Sequence, residues 1–311
     1  MLEKAWLGER PIVPMLGISQ DQSPNIRLTL ARQVNIDKLV VECQVFGLRK
    51  PRFNVDFLAK LLACGFKTTL KLDPRFDEKE VLSSDPIHLA LSSGPRRSNI
   101  PAFRIQVNPS YFENFESLTN FFYFAIPGFN PSLARITTLD ISIDFREPIS
   151  LVRKRLRVSG YQRLELKYSK EQTLSFFFGN NPLFRLYDKG EELRLGKGWL
   201  TRLEIHAKGS ELPVRAYTDL PKLPQLSLFK RIQLVDLVAP KKKSKVLMDF
   251  LAYYNRRGYE PAHFEFRESG NFKRDISRHL KIAKIETVDE IAQEGLQAFF
   301  NPPHPLVEGG E

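Results

Sequence analysis

A chain of 311 residues with 42% hydrophobic content, 24 phenylalanines and a formal net charge of +11 can fill one large or two ordinary folded domains. That composition excludes an intrinsically disordered chain, and its longest apolar run, around Phe121–Ile126, is too short to span a bilayer. The two cysteines, Cys43 and Cys64, lie in apolar runs with no CxxC pair, which predicts a reduced cytoplasmic protein with neither a disulfide framework nor a structural zinc. The first residues lack a basic stretch followed by an apolar one, so no signal peptide is expected, and with no run long enough to span a bilayer no membrane partner is expected either.

In chain order, residues 1–34 are rich in turn formers and read as an N-terminal arm. Ile36–Phe46 alternates in part and is enriched in β-branched residues, which predicts a strand. Asn54 opens a helix with Phe57, Leu58, Leu61 and Leu62 at helical spacing, and Gly65 stops it. Strands follow near 67–73, 86–92 and 102–107; a second helix then runs through Phe115, Leu118, Phe122 and Ala125. A strand at 136–145 leads to a short helix opened by Pro148 and stopped by Gly160, with a basic outer face. Strands at 162–168 and 173–178 continue through the hairpin signal Gly179-Asn180-Asn181 into a strand around Tyr187, and a further strand covers 200–208. Pro213, Pro221 and Pro224 read as a linker. Val246–Asn255, Ser269–Ile282 and Thr287–Phe300 read as helices, and the residues from Pro302 as a disordered tail.

No fixed short repeat is present, yet the order strand–helix–strands occurs twice, around 36–107 and 136–208. The predicted class is α+β: two related halves with antiparallel sheets covered by helices, followed by a helical C-terminal part. The expected units are an arm (1–34), a first half (35–130), a catalytic half (131–235), a helical DNA-binding part (236–300) and a tail (301–311).

Positive charge gathers in Arg153–Arg157, in Lys241, Lys242, Lys243 and Lys245, in Arg256 and Arg257, and in Lys273 and Arg274. Charge runs are commonly just solvated surface. Here they flank a cluster of acidic strands, which favours a nucleic-acid backbone as the partner.

Three segments carry the chemistry: Thr138–Phe145 (TLDISIDF), Leu183–Lys189 (LFRLYDK) and Thr201–His206 (TRLEIH). Alternation places Asp140, Ser142 and Asp144 on one strand face, Arg185, Tyr187 and Lys189 on another, and Arg202, Glu204 and His206 on a third. Asp140, Asp144 and Glu204 are candidate hard-oxygen ligands for Mg²⁺ or Mn²⁺. The plain alternative is a solvated face on which these acids pair with Arg202 or Lys189. Tyr187 is a candidate nucleophile. A phenol ionises near pH ~10, so presenting its anion at neutral pH costs about 4 kcal/mol unaided, and Lys189 could lower that cost. By itself Tyr187 is one of nine tyrosines; its neighbours single it out.

At these segments, from Arg135 to Phe145, Phe184 to Gly190 and Trp199 to His206, the chain resembles the Rep_trans-type rolling-circle replication initiators. Ile36–Glu42 is similar to that group's first strand and Asn271–Ile276 to its C-terminal helical part, so the likeness covers about 35–280 in pieces. The resemblance implies an enzyme that nicks and rejoins one DNA strand at a replication origin by metal-dependent transesterification, leaving a tyrosine on the 5′ phosphate and a free 3′ hydroxyl. It implies Tyr187 as nucleophile with Lys189 beside it, and Asp140, Asp144 and Glu204 as metal ligands. Arg185 and Arg202 become phosphate contacts, and DNA with a host polymerase or helicase the partners. A homodimer is compatible with it, and Tyr161 and Tyr168 stay open as alternative nucleophiles. Three other readings are a relaxase of a mobile element, a DNA-binding initiator without chemistry, and a water-using nuclease. The lysines at 241–243 and the basic residues Arg256, Arg257, Lys273 and Arg274 would then track the DNA.

Overall fold

Two strands of equal length stand at the centre of the molecule, each placed by an alternating run of β-branched and large apolar residues. In the computed structural model, residues 32–45, 51–71, 73–84, 87–167, 173–178, 182–192, 200–238, 245–267 and 281–302 are described. The elements of the first half are β1 (Arg32–Cys43), α1 (Val55–Ala63), β2 (Lys67–Leu70), β3 (Phe76–Ser84), β4 (Ile87–Pro95), β5 (Phe103–Val107) and α2 (Phe115–Ala125). The second half holds β6 (Ala134–Phe145), α3 (Ile149–Arg155), β7 (Leu156–Val158), β8 (Arg163–Leu166), β9 (Leu174–Phe177), β10 (Pro182–Asp188), α4 (Lys189–Glu192) and β11 (Thr201–Lys208). There follow β12 (Ile232–Val238), α5 (Lys245–Arg257), α6 (Tyr259–Phe266), β13 (Lys281–Thr287) and α7 (Val288–Phe300).

The predicted pair of related halves is present, but their strands join in one ten-stranded antiparallel sheet of order β2-β3-β4-β5-β1-β6-β11-β10-β9-β8. The seam is the β1–β6 ladder, whose register shifts once between Ile36 and Lys38 and again between Val40 and Val41. A bulge of this kind adds a residue to one strand and turns its side chain onto a face that alternation would deny it.

One sheet face is apolar. Leu39, Val41, Ile105, Leu139, Ile141, Ile143, Phe145, Leu203 and Ile205 share a core with Phe57 and Leu61 of α1, Phe121 and Phe122 of α2, and Leu296 and Phe300 of α7. The helices form as the sequence suggests. Asn54 Oδ1 accepts the Asp56 N–H at 3.0 Å to start α1, and Asn114 Oδ1 accepts the Ser117 N–H at 2.9 Å to start α2. Alternation then sends Asp140, Ser142 and Asp144 to the opposite face.

Elsewhere the structure departs from the sequence reading. The proline-marked stretch is not a linker: Tyr217–Gln225 is a 3₁₀ segment with Tyr217, Leu220, Leu223 and Pro224 buried. It is anchored by a 3.0 Å hydrogen bond between the Tyr217 hydroxyl and Thr119 Oγ1. The stretch 281–287, which includes the end of an expected helix, is strand β13, in a second sheet of order β13-β12-β7. Helices α5 and α6 carry their own small core of Leu247, Phe250 and Ala262, whereas α7 returns to the main one. Among the described residues no helix is long and apolar enough to cross a membrane.

Candidate active site

Strand β6 runs between β1 and β11, so each of its polar side chains meets one from each neighbour. Asp144 stands opposite Arg202, Ser142 opposite Glu204, and Asp140 opposite His206. On the other side, Asp140 stands opposite Lys38 and Ser142 opposite Asn35.

Asp144 and Arg202 form a bidentate pair: Nε to Oδ1 and Nη2 to Oδ2, both 2.6 Å, with Arg202 Nη1 also donating to Asp37 Oδ2 at 2.8 Å. Asn35 Nδ2 adds a 3.3 Å contact to Asp144, and the Ser142 hydroxyl donates to Asp37. Burial alone would lower the Arg202 pKa, but Asp37 and Asp144 on either side raise it well above the usual value. Charge-assisted, two-pronged bonds of this kind fix geometry as well as charge. Asp144, expected among metal ligands, is thus engaged by a guanidinium, and Arg202, expected on phosphate, is engaged by two carboxylates.

Beside this pair lies a different cluster. Asp140, Glu204 and His206 each offer a ligand atom, all within 4.8 Å of one another. His206 Nδ1 is 2.6 Å from Asp140 Oδ1, and the three residues are only 8%, 9% and 8% exposed. The Tyr187 hydroxyl, on β10, donates to Glu204 Oε2 at 3.1 Å, while Arg185 Nη1 approaches Oε1 at 3.8 Å. Burial, then Asp140 and Asp37, raise the Glu204 pKa; the Tyr187 hydrogen bond and Arg185 pull the other way. Burial first and Glu204 second push the Tyr187 phenol well above its ordinary value. Two carboxylates and an imidazole this close suit a divalent cation with oxygen and nitrogen preference.

The remaining expected residues fall as follows. Lys189 is not on the strand with Tyr187; it begins α4 and pairs with Glu192 at 2.8 Å. Arg256 is exposed at the end of α5 with its guanidinium 5.8 Å from the Tyr253 ring, and Arg257 lies beside Arg153. Lys241, Lys242, Lys243, Lys273 and Arg274 lie outside the described residues, as does Tyr168. Tyr161 packs against Phe176 and Phe264, and burial, then Glu260, drive its pKa up.

The sequence reading placed His206 on the right face but left it out of the ligand set; the strict alternation Arg202, Glu204, His206 was the available signal. Asn35 stands just before the expected start of the first strand at Ile36, while β1 in fact begins at Arg32. Asp37 had no signal, because alternation assigns it to the core face and the bulge alone brings it round.

Among solved structures four chains match. One is the rolling circle replication initiator protein from Geobacillus stearothermophilus, with a TM-score of 0.41 and 13% identity, covering 73% of this chain and 98% of that one. No protein-family model and no curated protein matches.

Proposed function

We propose that this chain is a DNA strand-nicking and strand-transfer enzyme that initiates rolling-circle replication, with Tyr187 as nucleophile and Asp140, Glu204 and His206 as ligands for Mg²⁺ or Mn²⁺. One observation carries the reading: the Tyr187 phenol hydrogen-bonds a carboxylate that belongs to the three-residue cluster. The donor set fits a hard divalent ion, because two crowded carboxylates in a buried site otherwise repel. When bound, such an ion supplies Lewis-acid polarisation of the scissile phosphate and eases ionisation nearby.

The chain's own residues account for the rest. Glu204 is the nearest acceptor for the phenolic proton. The phenolate oxygen bonds to phosphorus, the P–O3′ bond breaks, and the 3′ oxygen takes a proton from solvent. The phosphotyrosine ester keeps the energy of the broken linkage, so a 3′ hydroxyl can later reverse the step. Arg185, at the cluster's rim, is placed to steady a phosphate oxygen.

The test is a supercoiled plasmid carrying DNA that flanks the chain's own coding sequence. With Mn²⁺ the protein is expected to nick it and to leave a protein–DNA adduct that survives denaturing electrophoresis. Tyr187→Phe is expected to lose the adduct while still binding DNA, and EDTA to stop cleavage. Nicking with no adduct would transfer the chemistry to water; an adduct retained by Tyr187→Phe would transfer it to another tyrosine.

A further inference from the structure

The two halves of the sheet are copies in register. A two-fold axis normal to the sheet between β1 and β6 carries β5-β4-β3-β2 onto β11-β10-β9-β8. The cross-strand pair Glu42–Arg104 takes the place of Asp144–Arg202, and it too is an ion pair, Arg104 Nε to Glu42 Oε1 at 3.5 Å. An axis normal to the sheet keeps the same face exposed in both halves.

Superposing these arginine–carboxylate pairs assigns the rest. Lys38 of β1 falls where Asp140 stands, and Gln106 of β5 where Glu204 stands. Ser92, opposite Arg104, falls where Tyr187 stands opposite Arg202. Asn108, just past β5, takes the His206 position and caps a 3₁₀ turn through the Ser110 N–H at 2.9 Å. The first half therefore keeps the scaffold and loses both carboxylates, the imidazole and the phenol. A lysine and an amide in place of two acids invert the charge preference from cation to anion.

Lys38 also stands directly opposite Asp140 on the ladder, one strand spacing of about 4.8 Å away. A single strand crossing the sheet from Tyr187 would pass Glu204 and Asp140 and then meet Lys38 and Gln106. We propose that Lys38 and Gln106 form a non-catalytic phosphate subsite that holds a linkage flanking the one at the Asp140–Glu204–His206 cluster. The choice of a DNA linkage as ligand rests on the nicking function proposed above.

The test uses the full chain with Tyr187→Phe, a fluorescein-labelled single-stranded 30-mer, EDTA and a sodium chloride series read by anisotropy. Lys38→Ala is expected to weaken binding about tenfold and to flatten the slope of log K against log salt by about 0.7. Lys38→Arg restores the slope, and Gln106→Ala weakens binding without changing it, because an amide releases no counterion. Unchanged affinity and slope in a Lys38→Ala protein with the parent's melting curve overturns the subsite. So does weaker binding with an unchanged slope, which marks a structural role; if Lys38→Ala melts early, Lys38→Met keeps the aliphatic stem and decides. The adduct is scored separately, on the parent chain with Tyr187 intact and Mn²⁺ present. A flattened slope for Lys38→Ala where that parent never forms an adduct would keep the subsite and remove the nickase, and an adduct from the parent with an unmoved slope would do the reverse.

Discussion

Asp140 and Asp144 occupy one face of β6, four residues apart with Ser142 between them, and yet their surroundings differ. Asp144 meets a guanidinium along both carboxylate oxygens, so it neutralises Arg202. Asp140 meets His206 and, nearby, Glu204, and in the proposed site its charge would face the cation. Asp140→Asn should abolish Mn²⁺ binding by electron paramagnetic resonance, with little effect on the urea midpoint. Asp144→Asn should keep the bound Mn²⁺ and cost about 3 kcal/mol of stability, the low end for breaking a buried pair because Asp37 still faces Arg202. The reverse result would return Asp144 to the ligand set. Glu204 adds a pH dependence whose sign follows from its surroundings. Its pKa is raised by burial, then by Asp140 and Asp37, and a ligand must be ionised to bind. Mn²⁺ affinity should therefore fall, as pH is lowered from 8, well before the range near 4.3 where an ordinary glutamate protonates. Affinity held constant down to about pH 4.5 would contradict the raised value.

Among whole elements, legibility followed the strength of local pattern. β6 and β11 alternate cleanly and were readable, as were α1 with its Asn54 cap and α2 by its apolar spacing. β3 was not: Asp77, Glu78, Lys79 and Glu80 run together without alternation, and the strand exists because β2 and β4 supply ladders on both sides. β7 and β12 pair across more than seventy residues of chain, Val158 with Ile232, so no local signal announces either. The proline stretch misled for a related reason. Its order comes from Tyr217 packing on Phe115, Phe122 and Phe129, partners distant in sequence. The C-terminal helix shows the same dependence on distant contacts. α7 buries Val288, Ala292, Leu296 and Phe300 along one stripe and brings Gly295 against β1, where an added Cβ would lie 2.4 Å from Val34 Cβ. Gly295→Ala gains up to about 1 kcal/mol of helix propensity, but overpacking typically costs about 1–3 kcal/mol, so a net loss is expected. Val34→Gly should recover part of that loss when combined with it, read as a coupling energy in a denaturant double-mutant cycle. Additive effects would mean that the helix does not approach the strand this closely.

At the scale of the whole molecule the described residues form two cores, and the way the smaller one is attached makes its stability sensitive to pH. The α5–α6 cluster meets the main body where Gly258, at φ +95°, sits against Arg153, and where Glu260 is 2% exposed. Glu260 Oε1 accepts the Val158 N–H of β7 at 2.6 Å, while Oε2 has no hydrogen-bond partner among the described residues. Burial is the largest influence on this carboxyl and raises its pKa from 4.5 to about 7, against the pull of the Val158 N–H, Tyr161 and Arg157. The folded protein thus binds a proton that the unfolded chain has released between these two values. Stability from this group is complete below pH 4.5, declines as pH rises, and is lost above about 7, a swing of about 3 kcal/mol. Glu260→Gln stays neutral throughout and can still accept from Val158. Its stability relative to the parent should therefore improve by roughly that swing between pH 5 and pH 8, measured by urea unfolding at each pH. Two curves that stay parallel across the interval would mean that Glu260 is ionised and solvated in the folded protein, and that α6 is not sealed against β7 as the geometry has it.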